Sequence, residues 1–289
     1  MGSQAHGGYY IPHGSHWPII GSVGLFITMV SFANYLNGNA PFALILLGLA
    51  IVFFMMYGWF GVVIKESEGG LYNDQVDTSF RWGMGWFIFS EVMFFAAFFG
   101  ALFYARVFIL PWLGGEADSK FITHTLLWPD FSAMWPSNGP SKIGGEFEVM
   151  SAWFLPTLNT LILLSSGATI TWAHWGLLKG NRKQLQLGLL ATVCLGFLFV
   201  VLQAVEYGHA YHDLNLRLDS GIYGNTFFML TGFHGLHVTI GAIILTVIFL
   251  RSLKGHFTPK RHFAFEAAAW YWHFVDVVWL GLFIFVYLL

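Results

Sequence analysis

The chain has 289 residues, of which 56% are hydrophobic, 19% aromatic and 10% charged, and its mean hydropathy is +0.64. A soluble domain carries about 25% charged residues, so this composition excludes one, and a formal net charge of -2 without a basic patch excludes nucleic acid as a partner. The single cysteine, Cys194, excludes an intramolecular disulfide and a copper pair held by two thiolates.

Residues 1–17 contain no Lys or Arg and no apolar core, so no signal peptide is read there. Seven apolar segments are long enough to cross a bilayer: residues 19–36, 42–64, 80–109, 150–175, 185–207, 227–250 and 263–289. The expected fold is therefore all-α and polytopic. The first two spans carry no charge and are joined by Asn37-Gly38-Asn39-Ala40-Pro41, which predicts an antiparallel hairpin. A polar linker, residues 65–79, separates them from the rest, so a two-helix unit and a five-helix unit are expected.

The third span holds Glu91. At ~1.5 Å per helical residue it lies about 14 Å from Trp82, near the middle of a ~30 Å hydrocarbon core. A carboxyl group there is costly and is a functional candidate. The loop at 110–149 is rich in Pro, Gly and Trp, and its tryptophans in Trp128-Pro129 and Trp135-Pro136 read as an interfacial belt. In the fourth span Asn159, Ser166 and Ala173 recur every seven residues, as a packing seam of small and polar side chains does. Pro156 is expected to kink this helix near its outer end. Glu206, ending the fifth span, is expected to be solvated.

The sixth span places His234, His237 and Gly241 on one face. Two readings compete there, metal or haem ligation and buried hydrogen bonding. Two histidines on one helix supply at most two ligands, whereas a closed zinc site needs four and bis-histidine haem draws on opposing helices. Buried hydrogen bonding is the preferred reading, and no metal site is assigned. The seventh span aligns Glu266, His273 and Asp276 on one face. Glu266 is read as solvated at the inner surface, whereas Asp276 must be paired, protonated or buried against protein.

With the N-terminus inside, nine cationic residues lie at inner loops and helix ends: Lys65, Arg81, Lys179, Arg182, Lys183, Arg251, Lys254, Lys260 and Arg261. Four lie outside: Arg106, Lys120, Lys142 and Arg217. The positive-inside rule thus favours N-in, C-out.

Several long motifs carry a family likeness. They are His262-Phe263-Ala264-Phe265-Glu266-Ala267-Ala268-Ala269-Trp270-Tyr271-Trp272-His273-Phe274-Val275-Asp276, Thr231-Gly232-Phe233-His234-Gly235-Leu236-His237, Leu158-Asn159-Thr160 with Ser165-Ser166-Gly167-Ala168-Thr169, and Ser90-Glu91-Val92 with Phe94-Phe95. From about Trp17 to Leu289 the chain resembles cytochrome c oxidase subunit III. The departure is the outer segment at 111–148, which is longer than the usual pattern and has no role assigned.

The resemblance implies two-helix and five-helix bundles flanking a V-shaped cleft filled with phospholipid, and a subunit that binds no haem, copper or other metal itself. The haems and copper belong to partner subunits I and II. The complex takes electrons from cytochrome c, reduces oxygen to water and pumps protons across an energy-transducing membrane, read here as the bacterial plasma membrane. This subunit would hold lipid, stabilise subunit I and support proton uptake.

Glu91 matches the family's buried, carbodiimide-reactive acid and is expected to be neutral and hydrogen-bonded, with a sixth-span histidine as its candidate partner. Arg251 matches an arginine that meets lipid phosphate, and an arginine fork suits that role. Arg81 and Trp59 are further lipid candidates, explained equally well by snorkelling and belt positions. His6, His13 and His16 form a candidate proton antenna, with a solvated terminus as the alternative. His234, His237, His273, Asp276 and Asn159 are read as buried polar packing groups. Three other readings stay open: a quinol oxidase subunit III, which usually lacks the first two helices; a secondary transporter, which would move a solute alone; and a b-type cytochrome, which would show a haem band.

Overall fold

The structure is a computed structural model and describes residues 10, 14–116 and 121–289. Among the described residues, seven helices are long and apolar enough to cross a membrane, and the only β pairing is an isolated bridge between Thr258 and Arg261. The chain divides into two compact units at Trp82/Gly83.

In the first unit, α1 (Trp17–Leu36) and α2 (Ala43–Glu68) form a hairpin. The residues of α1 that are buried are Gly21, Gly24, Thr28 and Ser31, a seam of small side chains at heptad spacing. Gly48 of α2 meets the backbone of Thr28, and a Cβ there would collide with it. Lipid removes the hydrophobic drive between helices, so close backbone approach through small residues is what holds such a pair. The outward faces are apolar, with Phe26, Phe53 and Phe60 exposed.

Beyond α2 the chain turns over only a few residues before α3 (Asp74–Tyr104) begins. The sequence places this start near residue 80, because hydropathy sees only the apolar part. Asn73 Oδ1 accepts from Val76 N at 3.0 Å, and Asp74 and Asp77 occupy the first turn, so polar capping starts the helix earlier. At the same end Glu66 accepts from Tyr10 Oη at 3.0 Å and from Tyr72 Oη at 2.7 Å. Burial first, then the Glu66 carboxylate, pushes the Tyr72 phenol above its ordinary range, and Tyr10 shifts the same way for the same causes.

The second unit continues α3 through a π-helical turn at Ala105–Ile109 into α4 (Leu110–Leu113). It then holds α5 (Phe121–Leu127), α6 (Leu155–Leu178), α7 (Arg182–His212), α8 (Gly221–Leu253), α9 (Phe263–Leu282) and a π-helical segment at Phe283–Leu288. The described part of the 110–149 segment packs on its own unit. Tyr223 N donates to Ser137 O at 3.2 Å, and Trp135 lies edge-on to Tyr223 at 5.4 Å with the Arg106 guanidinium 5.7 Å from its ring. Trp135 therefore also packs against its own unit, a contact its sequence context does not reveal.

Helix α6 is the hub. Asn159, Ser166 and Ala173 are each at 0% exposure, which is the seam expected. Gly188 of α7 faces Ala173 so closely that a Cβ would collide. Trp272 Nε1 donates to Ser166 Oγ at 2.8 Å and Trp279 Nε1 to Thr160 Oγ1 at 2.9 Å, tying α9 to α6. Pro156 does not kink α6. The helix starts at Leu155, so the proline occupies its first turn, where its missing N–H costs nothing.

Candidate functional site

Glu91 and His237 each lie near the middle of a long helix. His237 is the central residue of α8, about 24 Å from either end at ~1.5 Å per residue. The two side chains meet at 2.9 Å between Glu91 Oε2 and His237 Nε2. His237 Nδ1 lies 2.6 Å from the Phe233 carbonyl oxygen, which can only accept, so Nδ1 carries a hydrogen. A hydrogen bond between Nε2 and Oε2 then needs one further proton. A carboxylic acid donating to neutral imidazole and an imidazolium donating to carboxylate both satisfy this geometry, and both leave the pair with zero net charge. Such a pair avoids the heavy cost of a lone ion in an apolar medium.

Aromatic rings frame the pair. Phe95 is 5.0 Å and Phe94 5.9 Å from the His237 ring, and Tyr271 stacks on it at 6.4 Å. The Glu91 side chain retains 22% exposure and His237 11%, so the carboxyl sits at the edge of the bundle. The other sixth-span histidine is separate. His234 is at 0% exposure, and its Nε2 faces the Val275 carbonyl at 3.2 Å.

On α9, His273 is not the buried group expected: its side chain keeps 46% exposure, with Nδ1 3.6 Å from Asp276 Oδ2 and Nε2 3.3 Å from Thr171 Oγ1. Asp276 is buried beside Gly167, where a Cβ would collide with its carboxylate. Both polar atoms of the Asn159 side chain are buried without a hydrogen bond among the described residues.

The lipid candidates divide between the units. In the first, Arg81 Nε pairs with Asp77 at 2.7 Å, and Trp59 is 44% exposed. In the second, Arg251 stacks on Phe257 at 4.8 Å and reaches His256 Nδ1 at 3.5 Å. Of the antenna histidines, His6 and His13 lie outside the described residues. His16 is exposed, with its ring 4.5 Å from Trp17.

Two groupings escape the sequence reading. Glu206 is not solvated: it is at 0% exposure and accepts from Tyr287 Oη at 2.6 Å. Its partner lies 81 residues away, beyond the reach of any periodicity. Glu266 is likewise mostly enclosed, at 15% exposure, and its carboxylate lies 3.1 Å from His262 Nε2 and 3.8 Å from His174 Nε2. The His262–Glu266 spacing of four was a visible signal, since i and i+4 side chains meet on a helix face.

A family model of cytochrome c oxidase subunit III matches residues 7–289. The chain belongs to the cytochrome c oxidase subunit III family. Curated relatives bearing that name include those of Dugong dugon, 42% identical, and of Oryctolagus cuniculus and Struthio camelus, each 41% identical; each alignment covers 99% of this chain and 98% of the relative. As a cytochrome c oxidase subunit III, the chain is an integral membrane part of an oxygen-reducing complex and has no catalytic centre of its own. A subunit III is not expected to bind haem or copper itself, and membership of an oxidase complex implies partner oxidase subunits.

Proposed function

We propose that this chain is the non-redox core subunit that holds structural phospholipid, stabilises subunit I and supports proton uptake during oxygen reduction by a cytochrome c-fed, proton-pumping complex. The N-terminus lies inside and the C-terminus outside, on the charge asymmetry of the loops. The membrane is the energy-transducing membrane of the host, which the sequence reading takes as a bacterial plasma membrane. The observation that carries the proposal is the Glu91–His237 pair, a polar couple of zero net charge at mid-helix and at the edge of its bundle. An acid in such surroundings serves a task beyond packing, because an apolar pair would hold the helices at lower cost.

Arg251 supplies the headgroup contact in this reading, with Arg81 and Trp59 doing so on the other unit, and the N-terminal sequence contributes His6, His13 and His16 as the candidate proton antenna.

The test has two parts. In the assembled complex, Glu91→Gln abolishes labelling by a hydrophobic carbodiimide and shortens the number of turnovers before inactivation. Arg251→Ala lowers the phospholipid retained per complex, read by native mass spectrometry. Unchanged labelling, lifetime and lipid content in assembled variants would refute the assignment.

A further inference from the structure

His174, on the last turns of α6, and His262 and Glu266, at the start of α9, converge at one end of the second unit. One ligand atom from each lies within 4.8 Å of the other two. Both imidazoles aim at the same carboxylate oxygen, with Glu266 Oε1 lying 3.1 Å from His262 Nε2 and 3.8 Å from His174 Nε2. Zinc ligands at ~2.0–2.1 Å in a tetrahedron stand about 3.3–3.4 Å apart. The two separations from the carboxylate oxygen straddle that edge length.

The protonation pattern points the same way. His262 Nδ1 faces the Thr258 carbonyl at 3.1 Å, a group that can only accept, so Nδ1 carries the hydrogen. In the neutral ring Nε2 then presents a lone pair towards the carboxylate. The Nε2 atoms of His174 and His262 are both shielded from solvent, and neither makes a hydrogen bond among the described residues. A shared proton, as at Glu91–His237, and a metal ion both satisfy two nitrogens and an oxygen facing inward, and three donor atoms converging from α6 and α9 suit the ion. A histidine ligand held by a backbone carbonyl through its other nitrogen is also the usual support around a metal. Glu266 offsets the positive end of α9, which alone would disfavour a cation.

We propose that His174, His262 and Glu266 form a binding site for a divalent cation of the zinc class, with a fourth position for water. The nitrogen-rich donor set favours zinc over magnesium or calcium, which take oxygen. The ion would clip α6 to the α8–α9 turn.

The test uses the assembled oxidase, dialysed against a chelator, re-equilibrated with Zn2+ and washed. Elemental analysis should find one more zinc per wild-type complex than per Glu266→Gln or His174→Gln complex. Residual affinity at the site should fall at least by the upper end of the ~10–100-fold that loss of a supporting group alone costs. In His262→Cys, zinc-edge X-ray absorption should gain a sulfur neighbour at ~2.3 Å. Equal zinc content in the wild type and the two glutamine variants would overturn the site and leave an imidazolium–carboxylate cluster. A His262→Cys spectrum without sulfur would do the same, and it covers the case in which a glutamine variant fails to assemble.

Discussion

Removing one oxygen atom, in Tyr287→Phe, isolates the energetic worth of a single buried contact. Tyr287 Oη donates to Glu206 Oε1 at 2.6 Å, and both residues are buried, Glu206 at 0% exposure. The other carboxylate oxygen, Oε2, has no hydrogen bond among the described residues, and neither does the side chain of neighbouring Gln203. The phenol is therefore the one hydrogen bond the Glu206 side chain makes there. Leaving a buried acceptor unsatisfied costs about 1–3 kcal/mol, towards the upper end when the group is a carboxyl. At about 2–4 °C per kcal/mol for a domain of 150–250 residues, roughly 2 kcal/mol corresponds to a fall of about 4–8 °C. The assay is the temperature at which half of the subunit leaves the purified complex, read by size exclusion. The double variant Glu206→Leu, Tyr287→Phe removes both polar groups, and its loss should be smaller than the sum of the two single losses. A Tyr287→Phe complex as stable as wild type would refute the reasoning and place water or a partner group on Glu206.

Gly48→Leu should part the α1–α2 hairpin, because even a Cβ there meets the Thr28 backbone. Overpacking of this kind costs about 1–3 kcal/mol, and the same thermal assay should register it, with an unchanged midpoint counting against the close approach. Trp272→Phe removes the donor to Ser166 Oγ, and interhelical bonds in membranes are worth about 0.6–2 kcal/mol. Ser166→Ala in that background should add little, and full additivity of the two losses would show that they do not interact. Tyr72 carries a phenol pushed above its ordinary range by burial and by Glu66. A group whose folded value is raised contributes stability that is whole below the unfolded value, about 10, and is lost as pH climbs through the folded one. Ultraviolet titration should show Tyr72 still protonated after exposed tyrosines ionise, and Tyr72→Phe should leave that exposed fraction unchanged.

The spans were legible because lipid leaves a chain few options: backbone polar groups must be satisfied internally, and twenty apolar residues announce a helix. What hydropathy missed was polar. The start of α3 at Asp74 depends on the Asn73 cap and the acids of the first turn, which lower hydropathy just where the helix begins. Pro156 carries two meanings, a kink within a helix and a comfortable first residue, and only the position of the preceding turn decides between them. Glu206 looked solvated because it ends a span, and nothing local reveals that Tyr287 closes over it. Glu91 stood out alone, while its partner was narrowed only to a pair of histidines three residues apart. His174 and Glu266 are 92 positions apart and meet only because α6 and α9 pack side by side.

The Glu91–His237 pair also has a history within each molecule's synthesis. The two residues are separated by 146 positions. At about 5–20 residues per second, the ribosome makes the histidine roughly 7–30 s after the acid. During that interval α3 has entered the membrane and α8 does not exist. The pair thus closes only once the chain has been translated through α8, and until then the acid has no histidine to face.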